Sequence, residues 1–314
     1  MRILVVGAGA IGGYFGGRLL EAKRDVTFLV RPRRAAQLAS AGLVIRSPKG
    51  DLALPDPPTI QSDALREPFD LIILSCKAYD LHEAIESLAP AVGSKTAILP
   101  LLNGMRQLDA IDERFGDGHA LGGLCLISTT LDPEGRILHL NDLHGLTYGE
   151  RDGSRSARVE AIASTFSGAR FDARFSETIL QEMWEKWVFI AAAAGISCLM
   201  RATIGDIVAG GGAKIAMSLA EECAAIAARK GFAPGEAAMR RIRAMLTMPG
   251  SGMTASMLRD IEHGARIEAD HIIGDLLARD EPDGADSPLL AIVNAHLKTY
   301  EAKRIRSQGS AKTP

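Results

Sequence analysis

Short aliphatic runs punctuate the first half of the chain, at residues 3–6, 26–30, 71–75, 96–99 and 124–130, with segments of helical spacing between them. Alternation of that kind predicts a parallel sheet covered by helices. Leu71, Ile72, Ile73 and Leu74 are apolar without a break, as a strand covered on both faces requires, so the centre of the sheet is expected there. Beyond Ser176 strand signals nearly vanish, and Ala, Leu, Met, Glu and Arg recur at spacings of three and four. Ser176-Glu177-Thr178 is the expected start of a helix on which Ile179, Met183, Trp187, Ile190 and Ala194 share one face. The apolar run over 187–200 is shorter than the ~20 residues a bilayer needs and reads as a buried helix. Gly195 and the cluster Gly210-Gly211-Gly212 are expected to interrupt the helices, and the polar segment 303–314 to fray. Two domains are therefore expected, a sheet-containing one over 1–175 and an all-helical one over 176–314.

Composition narrows the classes of function. Hydrophobic residues make up 47% of the 314 positions, enough to bury a sizeable core in each of two domains. Lysine and arginine number 36 against 38 acids, for a net charge of −2, which leaves no excess of cations for a nucleic-acid partner. The N-terminal run carries one basic residue and no small-residue cleavage site, so a cytoplasmic protein with no membrane association is expected. Cys76, Cys125, Cys198 and Cys223 stand far apart, the spacing of reduced, mostly buried thiols. The histidines, His139, His144, His263 and His271 among them, show no ligand spacing, and no metal is expected.

The first aliphatic run leads directly into Gly7-Ala8-Gly9-Ala10-Ile11-Gly12, and a helical stretch follows. Within a strand, a helix and a second strand, this G-x-G-x-x-G points to a dinucleotide. Gly7 allows the tight turn and Gly9 lets a pyrophosphate approach the backbone. Gly12 lets helix and strand pack closely, while the N–H groups at the helix start, at Ala10 and Ile11, face the anion. A merely tight strand-to-helix turn would need fewer glycines. At the end of the second run, where an NAD enzyme places an acid for the ribose hydroxyls, the chain reads Val30-Arg31-Pro32-Arg33-Arg34. Arg31, with Arg33 or Arg34 beside it, suits the 2′-phosphate of NADP, so NADP(H) is expected over NAD(H). Arg33 and Arg34 also suit a solvated basic turn.

Further motifs follow in order: Ser75-Cys76-Lys77-Ala78, Leu101-Leu102-Asn103-Gly104, Trp184-Glu185-Lys186, Ser256-Met257-Leu258-Arg259-Asp260 and Arg266-Ile267-Glu268. With the glycine loop they make the chain resemble the ketopantoate reductases, or 2-dehydropantoate 2-reductases, of the 6-phosphogluconate-dehydrogenase-like proteins. The resemblance implies an α/β Rossmann-type N-terminal domain, an all-α C-terminal domain and a site in the cleft between them. It implies NADPH-dependent reduction of a small-molecule 2-keto acid and leaves a homodimer open as the assembly. Lys186 matches the family's catalytic lysine, although a surface lysine paired with Glu182 one turn back has the same spacing. Glu268 matches the acid that holds lysine, substrate hydroxyl and cofactor. Asn103 matches a residue between cofactor and substrate, Ser256 a substrate contact, and Lys77 a lysine at the nicotinamide end.

Ser256 and Glu268 would lie ~18 Å apart on one straight helix. Shared contact with one small substrate therefore demands a bend, for which Gly264 is the natural place. The chain also departs from the family. Ile190, Ala194 and Met253 stand where the family usually has substrate-holding asparagines, which implies a less polar pocket and an alkyl or aryl 2-keto acid as an alternative to ketopantoate. A non-catalytic NADPH-binding regulator and a related hydroxyacid dehydrogenase with a more apolar substrate are the other readings.

Overall fold

The aliphatic runs of the first half build two sheets where their spacing predicts one. The computed structural model describes residues 1–280 and 287–310. In chain order the first half runs β1 (Arg2–Val6), α1 (Ala10–Glu21), β2 (Asp25–Leu29), α2 (Pro32–Ala41), β3 (Leu43–Arg46), β4 (Leu52–Leu54), β5 (Thr59–Ile60), β6 (Leu71–Leu74), α3 (Leu81–Leu88), β7 (Ala97–Pro100), α4 (Arg106–Phe115), β8 (Gly122–Leu131), β9 (Ile137–Gly149), α5 (Ala157–Phe166) and β10 (Asp172–Phe175).

The first sheet has the order β5-β2-β1-β6-β7 and is parallel throughout. Its middle strand is β1 rather than β6. All four residues of β6 are buried, but any interior strand covered on both faces reads that way, so an unbroken apolar run does not separate the centre from its neighbour. The run at 124–130 belongs to a second, mixed sheet. There β8 pairs antiparallel with β9, with a bulge between Ile127 and Thr129. β9 in turn lies parallel to β3 and β10, and β4 closes the edge.

Helix α1 packs against both sheets, and two rows of glycine explain how. A methyl group on Gly16 would reach within 2.5 Å of the Phe28 ring of β2. One on Gly13 would reach within 2.5 Å of Ile137 of β9, and one on Gly17 within 2.8 Å of Leu43 of β3. Larger residues here would overpack the core by about 1–3 kcal/mol each.

The second half is helical: α6 (Ile179–Met200), α7 (Ile204–Ala209), α8 (Ala213–Arg229), α9 (Glu236–Leu246), α10 (Ser256–Glu262), a π-helical turn (Asp270–Gly274) leading into α11 (Asp275–Ala278), and α12 (Pro288–Ser310). Ser176 Oγ accepts the Thr178 N–H at 3.1 Å just ahead of α6. Ile179, Met183, Trp187 and Ala194 are buried, and Ile190 is half-buried. Gly195 does not interrupt α6. Its missing side chain admits Leu219 of α8, 2.7 Å from where a methyl group would sit. Gly210 to Gly212 do separate α7 from α8. The helix α12 continues to Ser310, past Lys303, where fraying is expected; residues 311–314 lie outside the described residues.

At 22 residues α6 exceeds the apolar run within it, and it is the helix, among the described residues, long and apolar enough to cross a bilayer. Yet 67% of its apolar window is buried inside the protein, as in a core helix. By internal packing the chain divides into two units, Met1–Leu102 with Gln107–Ile179, and Asn103–Arg106 with the chain from Leu180 onward.

Candidate active site

In the first unit the candidate site is made of backbone. Gly7 takes φ +94°, a conformation that side chains resist, and turns the chain out of β1. Its N–H donates to Leu29 O at 2.9 Å, which anchors the loop to β2. A methyl group on Gly12 would overlap the Gly7 carbonyl and Ser75 Oγ, so this position is closed to any side chain. Gly9, the N-cap of α1, is the opposite case: a methyl group there would meet nothing within 4 Å, and the space above the loop is clear. The first-turn N–H groups, at Ala10, Ile11 and Gly12, precede the first intrahelical donor, Gly13, which bonds Gly9 O at 2.8 Å. No acid stands in that turn to oppose the positive end of the helix dipole.

The three arginines after β2 part company. Arg34 is not a solvated turn residue. Its Nε donates to Ala8 O at 2.9 Å, and its Nη1 donates to Gln37 Oε1 and to Gly135 O at 3.0 Å, which clamps the glycine loop against α2 and the β8–β9 turn. Arg34 Nη2 is buried without a hydrogen-bond partner. Clear space over Gly9, unpaired first-turn N–H groups and this buried donor fit the pyrophosphate of a dinucleotide. Arg33 is exposed. Arg31 is also exposed, but its guanidinium donates to Glu83 Oε2 at 2.6 Å and Asp80 Oδ2 at 3.3 Å. Lys77 is exposed, and its carbonyl accepts the Asp80 N–H at 2.9 Å.

In the second unit the candidate site is made of side chains, and the packing of α6 fixes where they point. Trp184 stacks on Phe232 with centroids 5.6 Å apart. Glu185 accepts the Gly235 N–H at 3.0 Å. Trp187 is fully buried, and its indole N–H donates to Ile272 O at 2.9 Å. Lys186, half-buried, lies between these anchors, so the rotation of α6 about its axis is set on either side of it.

The accepting carbonyl of Ile272 belongs to the π-helical turn that follows Glu268, whose own carbonyl accepts the Ile272 N–H at 3.0 Å. Lys186 and Glu268 thus flank the two ends of one buried hydrogen bond. The bend required between Ser256 and Glu268 is present: α10 ends at Glu262, and Gly264 takes φ +66°. Ser256 opens α10 and is exposed, and its side chain takes no part in the Trp187–Ile272 join.

From its spacing alone His271 is only a histidine outside any metal set. In the structure it is 5% exposed, and its ring donates to the backbone carbonyl of Asn103. It packs beneath Gly104 (φ +84°), where a methyl group would lie 3.2 Å from the ring. Asn103 is thereby joined to the segment that carries Glu268. Burial pushes the His271 imidazole below its ordinary pKa; the Glu268 and Asp275 carboxylates and the Asn103 carbonyl oppose the shift, and Arg106 adds to it. The available signal was its place three residues beyond Glu268 in a helical pattern, one turn along the same face. π-Helical turns recur at functional sites. The buried thiols are inert by comparison: desolvation pushes Cys198 up to about 12, and Cys223 upward as well.

Residues 3–153 match the family model described as ketopantoate reductase PanE/ApbA, and residues 178–301 match its C-terminal counterpart. An uncharacterized oxidoreductase of Bacillus subtilis (strain 168), YkpB, is 38% identical over 305 residues, spanning 97% of this chain and 100% of that protein. A 2-dehydropantoate 2-reductase of Mesorhizobium japonicum is 28% identical over 93% of this chain and 97% of its own length. The solved 2-dehydropantoate 2-reductase from Methylococcus capsulatus superposes with a TM-score of 0.85 at 27% identity, over 97% of this chain and 98% of that one. A D-mandelate dehydrogenase solved with NADH and anilino(oxo)acetate superposes at 0.86 with 19% identity, over 97% and 99% of the two chains, a likeness of fold.

Proposed function

Because this chain belongs to the ketopantoate reductase family, we propose that it reduces a 2-keto acid to the 2-hydroxy acid with NADPH as reductant. When bound, the reduced nicotinamide supplies a hydride for the keto carbon. Lys186 places its ammonium at the keto oxygen, stabilises the charge that grows there and supplies or orients the proton, an effect that strengthens as water is excluded. Glu268 holds the lysine and the hydroxyl. Asn103 and Ser256 orient the acid, and the glycine loop with Arg31 and Lys77 holds the dinucleotide. The observation that carries this reading is the buried Trp187–Ile272 hydrogen bond, which ties the helix of Lys186 to the segment of Glu268.

We read the substrate as less polar than ketopantoate. Ile190 is half-buried and Ala194 is buried on the helix of Lys186, and Met253 is half-buried; none of them can donate to a substrate hydroxyl. An apolar pocket tolerates an added hydroxyl but does not select for it. The test is a panel of 2-keto acids followed by NADPH oxidation. Branched or aryl 2-keto acids are expected to exceed ketopantoate in kcat/KM, and a large preference for ketopantoate would refute the apolar pocket. Lys186→Ala should keep coenzyme affinity and lose more than about tenfold in turnover. NADPH binding without turnover across the panel would overturn the catalytic reading in favour of a regulator.

A further inference from the structure

Arg31 stands at the end of β2 where a 2′-phosphate would need a cation, yet two acids already engage its guanidinium, Glu83 at 2.6 Å and Asp80 at 3.3 Å. Both sit at the start of α3, Asp80 as its N-cap and Glu83 in its first turn. There the positive end of the helix dipole stabilises carboxylates, so Arg31 and α3 together make an anion-binding corner in which resident anions are already installed. One guanidinium and two carboxylates leave that corner with a net charge of −1. Of the neighbouring cations, Arg34 commits Nε and Nη1 to neutral acceptors of the glycine loop, α2 and the β8–β9 turn, and Arg33 and Lys77 stand exposed in screening solvent.

A 2′-phosphate dianion would have to share the Arg31 guanidinium with both carboxylates or displace them, and would lie beside them either way. A 2′-hydroxyl would instead find an acceptor, the role an acid plays toward ribose in NAD sites. We propose that Asp80 and Glu83 are the specificity-determining pair of the coenzyme site: they compete with the 2′-phosphate for Arg31 and hold down the preference for NADPH over NADH that Arg31 alone would confer. The inference rests on the glycine loop being a nicotinamide dinucleotide site. Each carboxylate is expected to weaken NADPH about threefold to tenfold at low ionic strength, the scale of a like charge at close range across a wet surface.

Fluorescence titrations of NADPH and of NADH, without keto acid, on the full chain and on Asp80→Asn, Glu83→Gln and the double variant provide the test. Asp80 makes no side-chain capping bond to α3 for asparagine to lose, and Glu83 is an exposed side chain, so each single variant retains the fold, checked by thermal unfolding. NADPH should tighten in each single variant and by about tenfold or more in the double, NADH should move less than about twofold, and the gain should shrink as salt is raised. NADPH affinity unmoved in the double variant, with both coenzymes still binding, would overturn the competition while leaving the dinucleotide reading intact. Failure of the folded wild-type chain to bind either coenzyme would overturn both.

Discussion

The two units build their candidate sites from different material. In the first, Gly7, Gly9 and Gly12 lie within a single strand-to-helix turn, and the groups on offer are backbone N–H donors. In the second, the candidate residues Asn103, Lys186 and Glu268 come from three distant stretches of chain, whose backbones are joined through the Trp187–Ile272 and His271–Asn103 hydrogen bonds. A backbone site must be contiguous, because the donors point wherever the helix begins. A side-chain site needs only direction, which any well-packed helix can supply. Substitutions at a closed loop position such as Gly12 should therefore damage folding and coenzyme binding together, whereas those in the second unit should separate the two.

The sharpest break of this contrast is Gly12→Ala. The added methyl group would overlap the Gly7 carbonyl, a backbone atom with no rotamer to escape into. A stability loss of about 1–3 kcal/mol is expected. Coenzyme should weaken on the order of a hundredfold, about 2.7 kcal/mol. Gly9→Ala is the matched control. Its methyl group enters clear space, so thermal unfolding should change by less than about 0.5 kcal/mol, while NADPH weakens because the methyl group fills the approach to the loop. If Gly9→Ala binds NADPH as tightly as the wild type, the loop is not the cradle.

Trp187→Phe probes the other half at smaller amplitude. It removes the indole donor to Ile272 O from a buried site, at a cost of about 1–3 kcal/mol. Turnover should fall, since the lost bond fixes the α6 helix of Lys186 against the segment of Glu268, and NADPH affinity should hold. Titration and steady-state kinetics on one preparation decide it; a parallel loss of NADPH affinity would erase the distinction between the units.

What the chain revealed in advance follows the same division. β1, the glycine loop and α1 were legible because each is specified by neighbours within a few positions. The bend at Gly264 was legible because a helix length, not a contact, demanded it. β9 was not, since Asn141, Asp142 and Gly145 interrupt its apolar alternation and its partners lie elsewhere in the chain. From its neighbours in sequence Arg34 suits either a 2′-phosphate or a solvated turn, and only the fold lays it over the Ala8 carbonyl. Asp80 and Glu83 were invisible because they meet Arg31 across 49 and 52 positions.

The smallest effect is expected from acid, and it reaches each unit through one histidine, buried in the second and half-buried in the first. Burial lowers the pKa of His271 in the second unit. It also lowers that of His144 in the first, where Asp172 pulls the other way and His139, Lys49 and Arg18 add to the lowering. In both cases the folded chain resists a proton that the unfolded chain accepts below about pH 6.5. The stabilisation is thus fully present above that pH and fades as pH falls toward the folded-state value, because the unfolded state then binds more protons. Between pH 7.5 and pH 5.5 the melting temperature of the wild type should drop, and the drop should shrink in His271→Gln and, separately, in His144→Gln, whose amide can still pair with the Tyr14 hydroxyl that His144 meets at 2.9 Å. Turnover separates the two: His271→Gln should also flatten the acid limb of the kcat profile, because His271 ties Asn103 to the segment of Glu268, whereas His144→Gln should leave that limb in place. If both variants alter the limb alike, the acid response belongs to the chain as a whole and the two sites are not independently tuned.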